Sequence, residues 1–183
     1  MSAAQELKIV FTGPMGAGKT TAITAISDAR PVSTEMRNHD QESFAKEATT
    51  VALDLGHMSL ADGTVVRLYG TPGQERFSFM WEIVGRGAMG IILLIDGSSV
   101  NAIPDLRAYA SVFRRIAPDQ PLIVGVGRTG PDDCELLDAC AQALDLLRIS
   151  APIFSVDVRK REDVLLLIET LLASLELREP DSL

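Results

Sequence analysis

Positive charge is scarce in this sequence. Lysine and arginine together number 17, against 25 aspartates and glutamates among 183 residues, which gives a formal net charge of −8. This surplus of negative charge opposes binding to the phosphate backbone of DNA or RNA. We therefore expect no nucleic-acid partner, whereas a small basic pocket for one phosphorylated ligand stays compatible with the composition.

Cysteines and long apolar runs are also scarce. The two cysteines, Cys134 and Cys140, lie six residues apart in a stretch with a helical pattern and would point to different faces, so we expect no disulfide between them. The longest apolar stretch, residues 89–95, is far short of the roughly 20 residues that span a bilayer. The sequence shows no signal-peptide pattern and no lipidation motif. We expect a cytoplasmic protein with no direct membrane anchor.

Short apolar runs alternate with longer helical patterns along the chain, which has 46% hydrophobic residues. Residues 1–183 are predicted to form a single domain. The alternation predicts a three-layer α/β fold, with a six-stranded, mostly parallel sheet and helices on both faces. One strand is antiparallel, because Asp62 and Gly63 form a hairpin turn. The strands are predicted at residues 7–12, 50–58, 64–69, 89–96, 122–126 and 153–156, and the helices at 19–26, 103–116, 133–147 and 161–177. The polar stretch 27–49 is predicted as a connection with a short helix near residues 41–47.

A complete phosphate-binding loop, or P-loop, follows the first predicted strand. Residues 13–20, GPMGAGKT, match the pattern GxxxxGK[ST] between a strand and a helix. Glycines let backbone amides surround an anion, and the helix N-terminus adds its positive dipole end. Lys19 can reach the β- and γ-phosphates, and the Thr20 hydroxyl can ligate Mg²⁺. The predicted nucleotide-binding residues here are Gly13, Pro14, Met15, Gly16, Ala17, Gly18, Lys19, Thr20 and Thr21.

A second motif, GTPGQERF at residues 70–77, directly follows another predicted strand. Here the sequence resembles the Ras-like small GTPases, whose corresponding motif reads DxxGQE. The resemblance implies that Gly73 contacts the γ-phosphate and that Gln74 is the catalytic residue that orients the attacking water. The aspartate of the motif is replaced by Gly70, which resembles the bacterial conservon-type and MglA-like branch. Either Asp54 or Asp96 could assist the metal instead, or each could be a solvated or capping carboxylate.

The segment TTVALD at residues 49–54 resembles the first switch of Rab and Arf proteins, a threonine that leads into a strand. The resemblance implies that Thr50 completes Mg²⁺ coordination when a γ-phosphate is present. The alternative is that Thr49 and Thr50 only favour β structure.

The motifs that read the base are weaker. Where the family carries NKxD, this chain has Gly127, Arg128, Thr129 and Gly130, so only Arg128 matches, as the residue whose stem stacks on the base. Asp132 or Asp133 could substitute through a shifted loop. The family's SAK motif aligns loosely with residues 157–159, which implies that the Val158 amide meets a base carbonyl.

Together these residues predict a P-loop small GTPase-like switch that binds GTP or GDP with Mg²⁺. Met15 is expected to crowd Gln74 and slow hydrolysis, unless its side chain turns outward. The alternative is a nucleotide-binding interaction module with little turnover; a small-molecule kinase would need an arginine-rich lid, and no such cluster follows Asp96. The resemblance implies protein partners at the switch regions, including Roadblock-type proteins. Trp81 belongs either to the core or to an exposed partner-binding patch.

Overall fold

The structure is a computed structural model that describes residues 6–36, 51–130 and 133–177. The predicted helix at 41–47, Thr50 and Asp132 lie outside these ranges. The described residues form β1 (Glu6–Thr12), α1 (Lys19–Ile26), β2 (Val32–Met36), β3 (Val51–Ser59), β4 (Val65–Gly70), a 3₁₀ turn (Glu75–Phe77), α2 (Ser78–Gly85), β5 (Gly90–Asp96), α3 (Ala102–Ile116), β6 (Leu122–Gly127), α4 (Cys134–Leu146), β7 (Ile153–Val156) and α5 (Arg161–Glu176).

All strands in the described ranges belong to one sheet, in the order β2-β3-β4-β1-β5-β6-β7. Only β3 runs against the rest, since it pairs antiparallel with both β2 and β4. The predicted α/β fold is therefore confirmed, including its single antiparallel strand and the turn at Gly63, whose φ is 88°.

The sheet has one strand more than the six that the sequence predicts. β2 reads VSTEM and lies at the sheet edge, paired with β3 from Val32 opposite Leu55 to Met36 opposite Val51. An edge strand pairs on one side only and does not need the apolar run of a central strand. This is why the polar sequence gave no strand signal.

The core lies on both faces of the sheet. One cluster, which includes Trp81, Leu93 and Phe113, fills the space below α2, α3 and α4. The other, which includes Phe11 and Ile23, lies under α1 and α5. Alternate residues of the central strands project to opposite faces of the sheet, and both faces are covered by helices. These strands are therefore apolar at every position.

The helix α2 was not predicted from the sequence. It is short, spans Ser78–Gly85 and follows the second motif after a 3₁₀ turn. Its residue Trp81 is buried in the core, whereas Phe79 and Ile83 on the same helix are exposed. The core interpretation of Trp81 is therefore correct, and its neighbours form the exposed part of the segment.

The topology brings the sequence motifs to one edge of the sheet. The P-loop follows β1, and Gly70, Asp96 and Gly127 end the neighbouring strands β4, β5 and β6. The carboxyl ends of parallel strands are where open α/β sheets bind ligands. None of the helices in the described ranges is both long enough and apolar enough to traverse a bilayer.

Candidate nucleotide-binding site

The P-loop backbone adopts positive φ angles at three of its glycines. Gly13, Gly16 and Gly18 have φ values of 134°, 84° and 93°, in the left-handed region that other residues rarely adopt. A Cβ atom at Gly13 would lie 2.0 Å from the carbonyl oxygen of Leu94, so no side chain fits there. The loop is thereby held close to β5, and α1 starts at Lys19 directly after it.

Lys19 lies inside the loop. Its side chain is buried, and Nζ donates hydrogen bonds to the carbonyl oxygens of Gly13 and Pro14, each at 2.7 Å. Burial lowers the pKa of Lys19 to about 8, and the negative charge of Asp54 partly opposes this shift. A buried ammonium without a carboxylate in direct contact is well suited to receive an anionic ligand.

The Thr20 hydroxyl is next to a carboxylate from a neighbouring strand. Thr20 Oγ1 donates to Asp54 Oδ2 at 2.5 Å, and Asp54 lies opposite Gly70 in the β3–β4 pair. Of the two carboxylates that the sequence suggested beside the metal, Asp54 is the one that the structure brings to Thr20. Asp96 instead forms an ion pair with Arg128 and accepts hydrogen bonds from Ser98.

Gly73 and Gln74 lie against the P-loop. A Cβ atom at Gly73 would be 2.4 Å from the backbone nitrogen of Met15, which shows how closely the two segments approach. The Met15 side chain is 72% exposed, yet its Sδ lies 3.5 Å from Nε2 of Gln74. Arg76 Nε donates to Gln74 Oε1 at 2.7 Å, so both ends of the glutamine amide have partners.

Two aromatic side chains hold the backbone of this segment from behind. Trp81 Nε1 donates to the carbonyl oxygen of Pro72 at 2.8 Å, and the Tyr109 hydroxyl donates to that of Gly73 at 2.9 Å. The rings of Trp81 and Tyr109 pack with centroids 4.7 Å apart. Tyr109 on α3 was missed by sequence reasoning, because a hydrogen bond across 36 positions leaves no local pattern.

A cleft runs from the P-loop toward β6 and β7. Its phosphate end, about 500 Å³, is lined by Lys19, Thr20, Asp54 and Gly73 among others. The other end, about 590 Å³, is lined by residues of β5, the β6–α4 loop and the β7–α5 loop. The two parts share Gly18, Thr21 and Arg128, so they are adjacent and together suit an elongated ligand with an anionic end.

In the part of the cleft beside β7, Val158 contacts the P-loop residue Gly18. An ideal Cβ at Gly18 would lie 2.7 Å from Val158 Cγ2, so the β7–α5 loop and the P-loop pack directly on each other. Arg159 beside it forms an ion pair with Asp157, and hydrogen bonds from Arg159 hold the pKa of Asp157 at about 2. Val158 lines the cleft.

Gly127 and Gly130 stand where the family's base-binding motif has side chains, and the space beside each glycine is open. At Gly127 an added Cβ would make only ordinary contacts, the nearest at 3.6 Å, and at Gly130 the nearest atom is Asp133 Oδ2 at 3.9 Å. The Asp133 carboxylate accepts a hydrogen bond from the Gly130 amide at 3.0 Å. Thr129 and Ser155 share a hydroxyl hydrogen bond of 2.5 Å at the cleft wall.

Comparison with known proteins agrees with this geometry. The chain is 28% identical to the Ras-related protein Rab-27B of Bos taurus over 91% of this chain and 78% of the relative. It is 27% identical to the GTP-binding protein ypt2 of Schizosaccharomyces pombe, over 70% of this chain and 59% of the relative. ADP-ribosylation factor-like protein 8c of Arabidopsis thaliana is 25% identical, over 57% of this chain and 50% of the relative. The chain is similar to Ras-related small GTPases. No protein-family model matches it.

This similarity to small GTPases supports the resemblance to Ras-like proteins as a whole. These relatives are eukaryotic, and they do not bear on the bacterial conservon-type and MglA-like branch. Apart from Gly13 and Pro14, the predicted P-loop residues line this cleft, together with Gly73, Gln74, Arg128 and Val158. Thr50, the other predicted Mg²⁺ ligand, lies outside the described residues.

Proposed function

We propose that this chain is a cytoplasmic signalling switch of the Ras-like type, which binds GTP or GDP with Mg²⁺ and hydrolyses GTP slowly. The observation that carries the proposal is the buried Lys19 ammonium inside a complete P-loop, at one end of a nucleotide-sized cleft. Similarity to Rab, Ypt and ADP-ribosylation-factor proteins supports guanine as the base.

The donors beside the P-loop fit Mg²⁺. This ion prefers oxygen ligands and is usually held by one or two protein groups together with substrate phosphates and water. Thr20 and Asp54 supply a hydroxyl and a carboxylate at the phosphate end of the cleft, and Thr50 would add a second hydroxyl. When bound, the metal would neutralise charge that develops on the phosphates.

In this proposal Gln74 positions the attacking water molecule, and its side chain has other partners in the structure. Its amide contacts Met15 through nitrogen and Arg76 through oxygen. Hydrolysis then requires Gln74 to leave these partners, and phosphoryl transfer depends almost entirely on positioning and charge stabilisation. Slow turnover without a partner is the expected consequence.

The first test is Lys19→Ala, which we expect to abolish GDP and GTP binding without loss of the fold. Without the ammonium, the phosphate charge meets only backbone dipoles and Mg²⁺. Binding is measured by calorimetry and the fold by circular dichroism. The matched control is Lys8→Ala, because Lys8 Nζ bonds the Arg86 carbonyl and not the P-loop. Wild-type affinity in Lys19→Ala would refute the phosphate-site assignment.

A second candidate function is a nucleotide-binding interaction module with little or no turnover. It is favoured by the engaged side chain of Gln74 and by Gly127 and Gly130 in the base motif. Nucleotide affinity and single-turnover hydrolysis, measured on one preparation, separate the two functions. Tight binding without hydrolysis over many hours would favour the module.

A protein partner at the switch region is part of the proposal. Phe79 and Ile83 on α2, directly after the Gln74 motif, are 41% and 53% exposed. Exposed apolar side chains beside a nucleotide-dependent loop suit a partner that senses the nucleotide. A Roadblock-type protein is proposed from the family resemblance alone. Co-elution with the GTP-loaded but not the GDP-loaded chain would support it, and equal or absent co-elution would contradict it.

A further inference from the structure

Met15 places an exposed methionine side chain in the P-loop. It is 72% exposed and lines the phosphate end of the cleft. Met58 and Met80 are buried, and Met89 is half-buried. Among the methionine side chains that the structure describes, the one at position 15 is therefore the most open to an oxidant from solvent.

The sulfur of Met15 lies against the side-chain amide of Gln74. The distance from Met15 Sδ to Gln74 Nε2 is 3.5 Å, and Arg76 donates a hydrogen bond to the Oε1 end of the same amide. Because Oε1 is taken up by Arg76, the NH₂ end of the amide faces Met15. A thioether sulfur is a weak acceptor, so this contact holds Gln74 only weakly in the reduced protein.

The backbone keeps Met15 and Gln74 together. An ideal Cβ at Gly73 would lie 2.4 Å from the Met15 nitrogen, and the Gly73 carbonyl oxygen accepts a hydrogen bond from the Tyr109 hydroxyl. The segment that carries Gln74 is thereby held against the P-loop at position 15. A chemical change at the Met15 sulfur therefore acts directly on Gln74.

We propose that Met15 is a site of reversible oxidation by hydrogen peroxide, and that its sulfoxide holds Gln74 away from the attacking water. The sulfur lone pair attacks one peroxide oxygen, and an S–O bond forms as the O–O bond breaks. The departing hydroxide takes the proton of the transferred oxygen and leaves as water. The sulfur loses two electrons and the peroxide gains them. The product is a polar sulfoxide, whose oxygen is a stronger acceptor for Gln74 Nε2 than the thioether sulfur.

The effect on turnover rests on the proposed function, because it requires Gln74 to position water for GTP hydrolysis. The oxidation itself does not depend on that function. One net hydrogen bond shifts an equilibrium by a factor of about two to ten. We therefore expect the sulfoxide to lower the single-turnover rate of GTP hydrolysis about two- to tenfold.

The first measurement locates the oxygen. The full chain is treated with hydrogen peroxide, and its six methionines are followed by peptide mass spectrometry. Met15 should gain one oxygen before Met58 and Met80 do. The two methionine sulfoxide reductases, one for each sulfoxide epimer, should remove it again. Oxidation of Met15 no earlier than that of the two buried methionines would overturn the proposal.

The second measurement is the ratio of hydrolysis rates before and after peroxide, in the wild type and two variants. Met15→Leu keeps the other methionines and the exposed Cys134, so its rate should not respond to peroxide. A response that persists in Met15→Leu would assign the loss of rate to another residue and contradict the proposal. In Gln74→Ala the Met15 sulfoxide should still form but leave the rate of that variant unchanged, because its hydrogen-bond donor is gone.

The outcomes separate the inference from the proposed function. If the wild type hydrolyses no GTP, the proposed function fails and the action of the sulfoxide on Gln74 fails with it. Selective oxygen uptake at Met15 would still support the modification site. If the wild type hydrolyses GTP and its rate is the same with oxidised and reduced Met15, the action on Gln74 is refuted while the proposed function stands.

Discussion

Lys19 is the residue whose ionisation is most changed by folding in the phosphate end of the cleft. Burial lowers its pKa to about 8, so near pH 8 roughly half of the free protein would carry a neutral amine there. Bound phosphate favours the charged form and returns the pKa toward its usual value. We therefore expect nucleotide binding at pH 8 to be coupled to proton uptake.

The predicted proton uptake is about half a proton per site at pH 8, more at pH 8.5 and less at pH 7.5. Calorimetric titration with GDP in buffers of different ionisation enthalpy measures it directly. The same pKa shift makes the free energy of unfolding depend on pH. Above pH 8 the unfolded chain keeps the Lys19 proton that the folded chain releases. The contribution of Lys19 to the unfolding free energy of the free protein therefore rises between pH 8 and about 10.4. A binding enthalpy independent of the buffer at pH 8 would contradict the prediction.

Met15 is predicted to limit the rate of hydrolysis. Its sulfur contacts the amide of Gln74, and a displacement of about 1 Å in a catalytic group can cost about a hundredfold in rate. Met15→Gly should therefore hydrolyse GTP faster than the wild type in single-turnover assays, and Gln74→Ala should be slower. Met15→Leu keeps the bulk without the sulfur and should resemble the wild type. A Met15→Gly rate no higher than the wild-type rate would refute the crowding argument.

At the level of elements, α2 and α3 fix the backbone that precedes Gln74. Trp81 and Tyr109 donate to the carbonyl oxygens of Pro72 and Gly73, which are partly buried. Removing a donor from a buried acceptor costs about 1–3 kcal/mol. The Pro72–Gly73 backbone is thus part of the cooperative fold and not a free loop.

We predict that Tyr109→Phe lowers the free energy of unfolding by about 1 kcal/mol. Trp81→Phe should lower it by more, about 2–4 kcal/mol, because it also leaves a cavity in the core. Urea unfolding measures both changes. Tyr69→Phe removes the chain's other phenol hydroxyl and serves as the control, with an expected change well below that of Tyr109→Phe. Equal effects of the two tyrosine variants would show that the hydrogen bond from Tyr109 to Gly73 adds nothing measurable to the free energy of unfolding.

The elements that sequence analysis predicted are those whose signal is local. The P-loop helix and β7 have the predicted bounds, because an apolar period and a glycine-rich turn define them. β2 and α2 were missed, since β2 is a polar edge strand and α2 is an eight-residue helix without a side-chain cap. The pairing of Asp54 with Thr20 needed the β3–β4 register, which no spacing along the chain reveals.

For the molecule as a whole, the proposed nucleotide cleft joins a complete P-loop at one end to a proposed base end where two side chains of the family's motif are replaced by glycine. Gly127 and Gly130 offer no side-chain groups to hydrogen-bond a guanine, and a site discriminates strongly only where such polar groups exist. We therefore expect GDP and ADP to compete within about tenfold of each other for the wild type. A preference for GDP of several orders of magnitude would show that Asp132, Asp133 or another group reads the base.

The open space at these glycines allows a gain-of-function test. An added Cβ meets nothing closer than 3.6 Å at Gly127 or 3.9 Å at Gly130. Gly127→Asn combined with Gly130→Asp should raise the preference for GDP over ADP by at least about a hundredfold in competition binding. Gly127→Asn combined with Gly130→Asn is the matched control, because it adds similar bulk without the carboxylate. No gain over that control would show that the base lies elsewhere in the cleft.

Trp81 is the single tryptophan of the chain. Its indole is buried, contacts the rings of Tyr109 and Phe113, and gives its N–H to the backbone just ahead of Gly73. Indole emission depends on the polarity around the ring and on that hydrogen bond. Under the proposed function, Trp81 is a built-in optical reporter close to the proposed γ-phosphate site. We therefore expect its emission to change when GDP is exchanged for a non-hydrolysable GTP analogue, so that exchange can be followed in real time without any label.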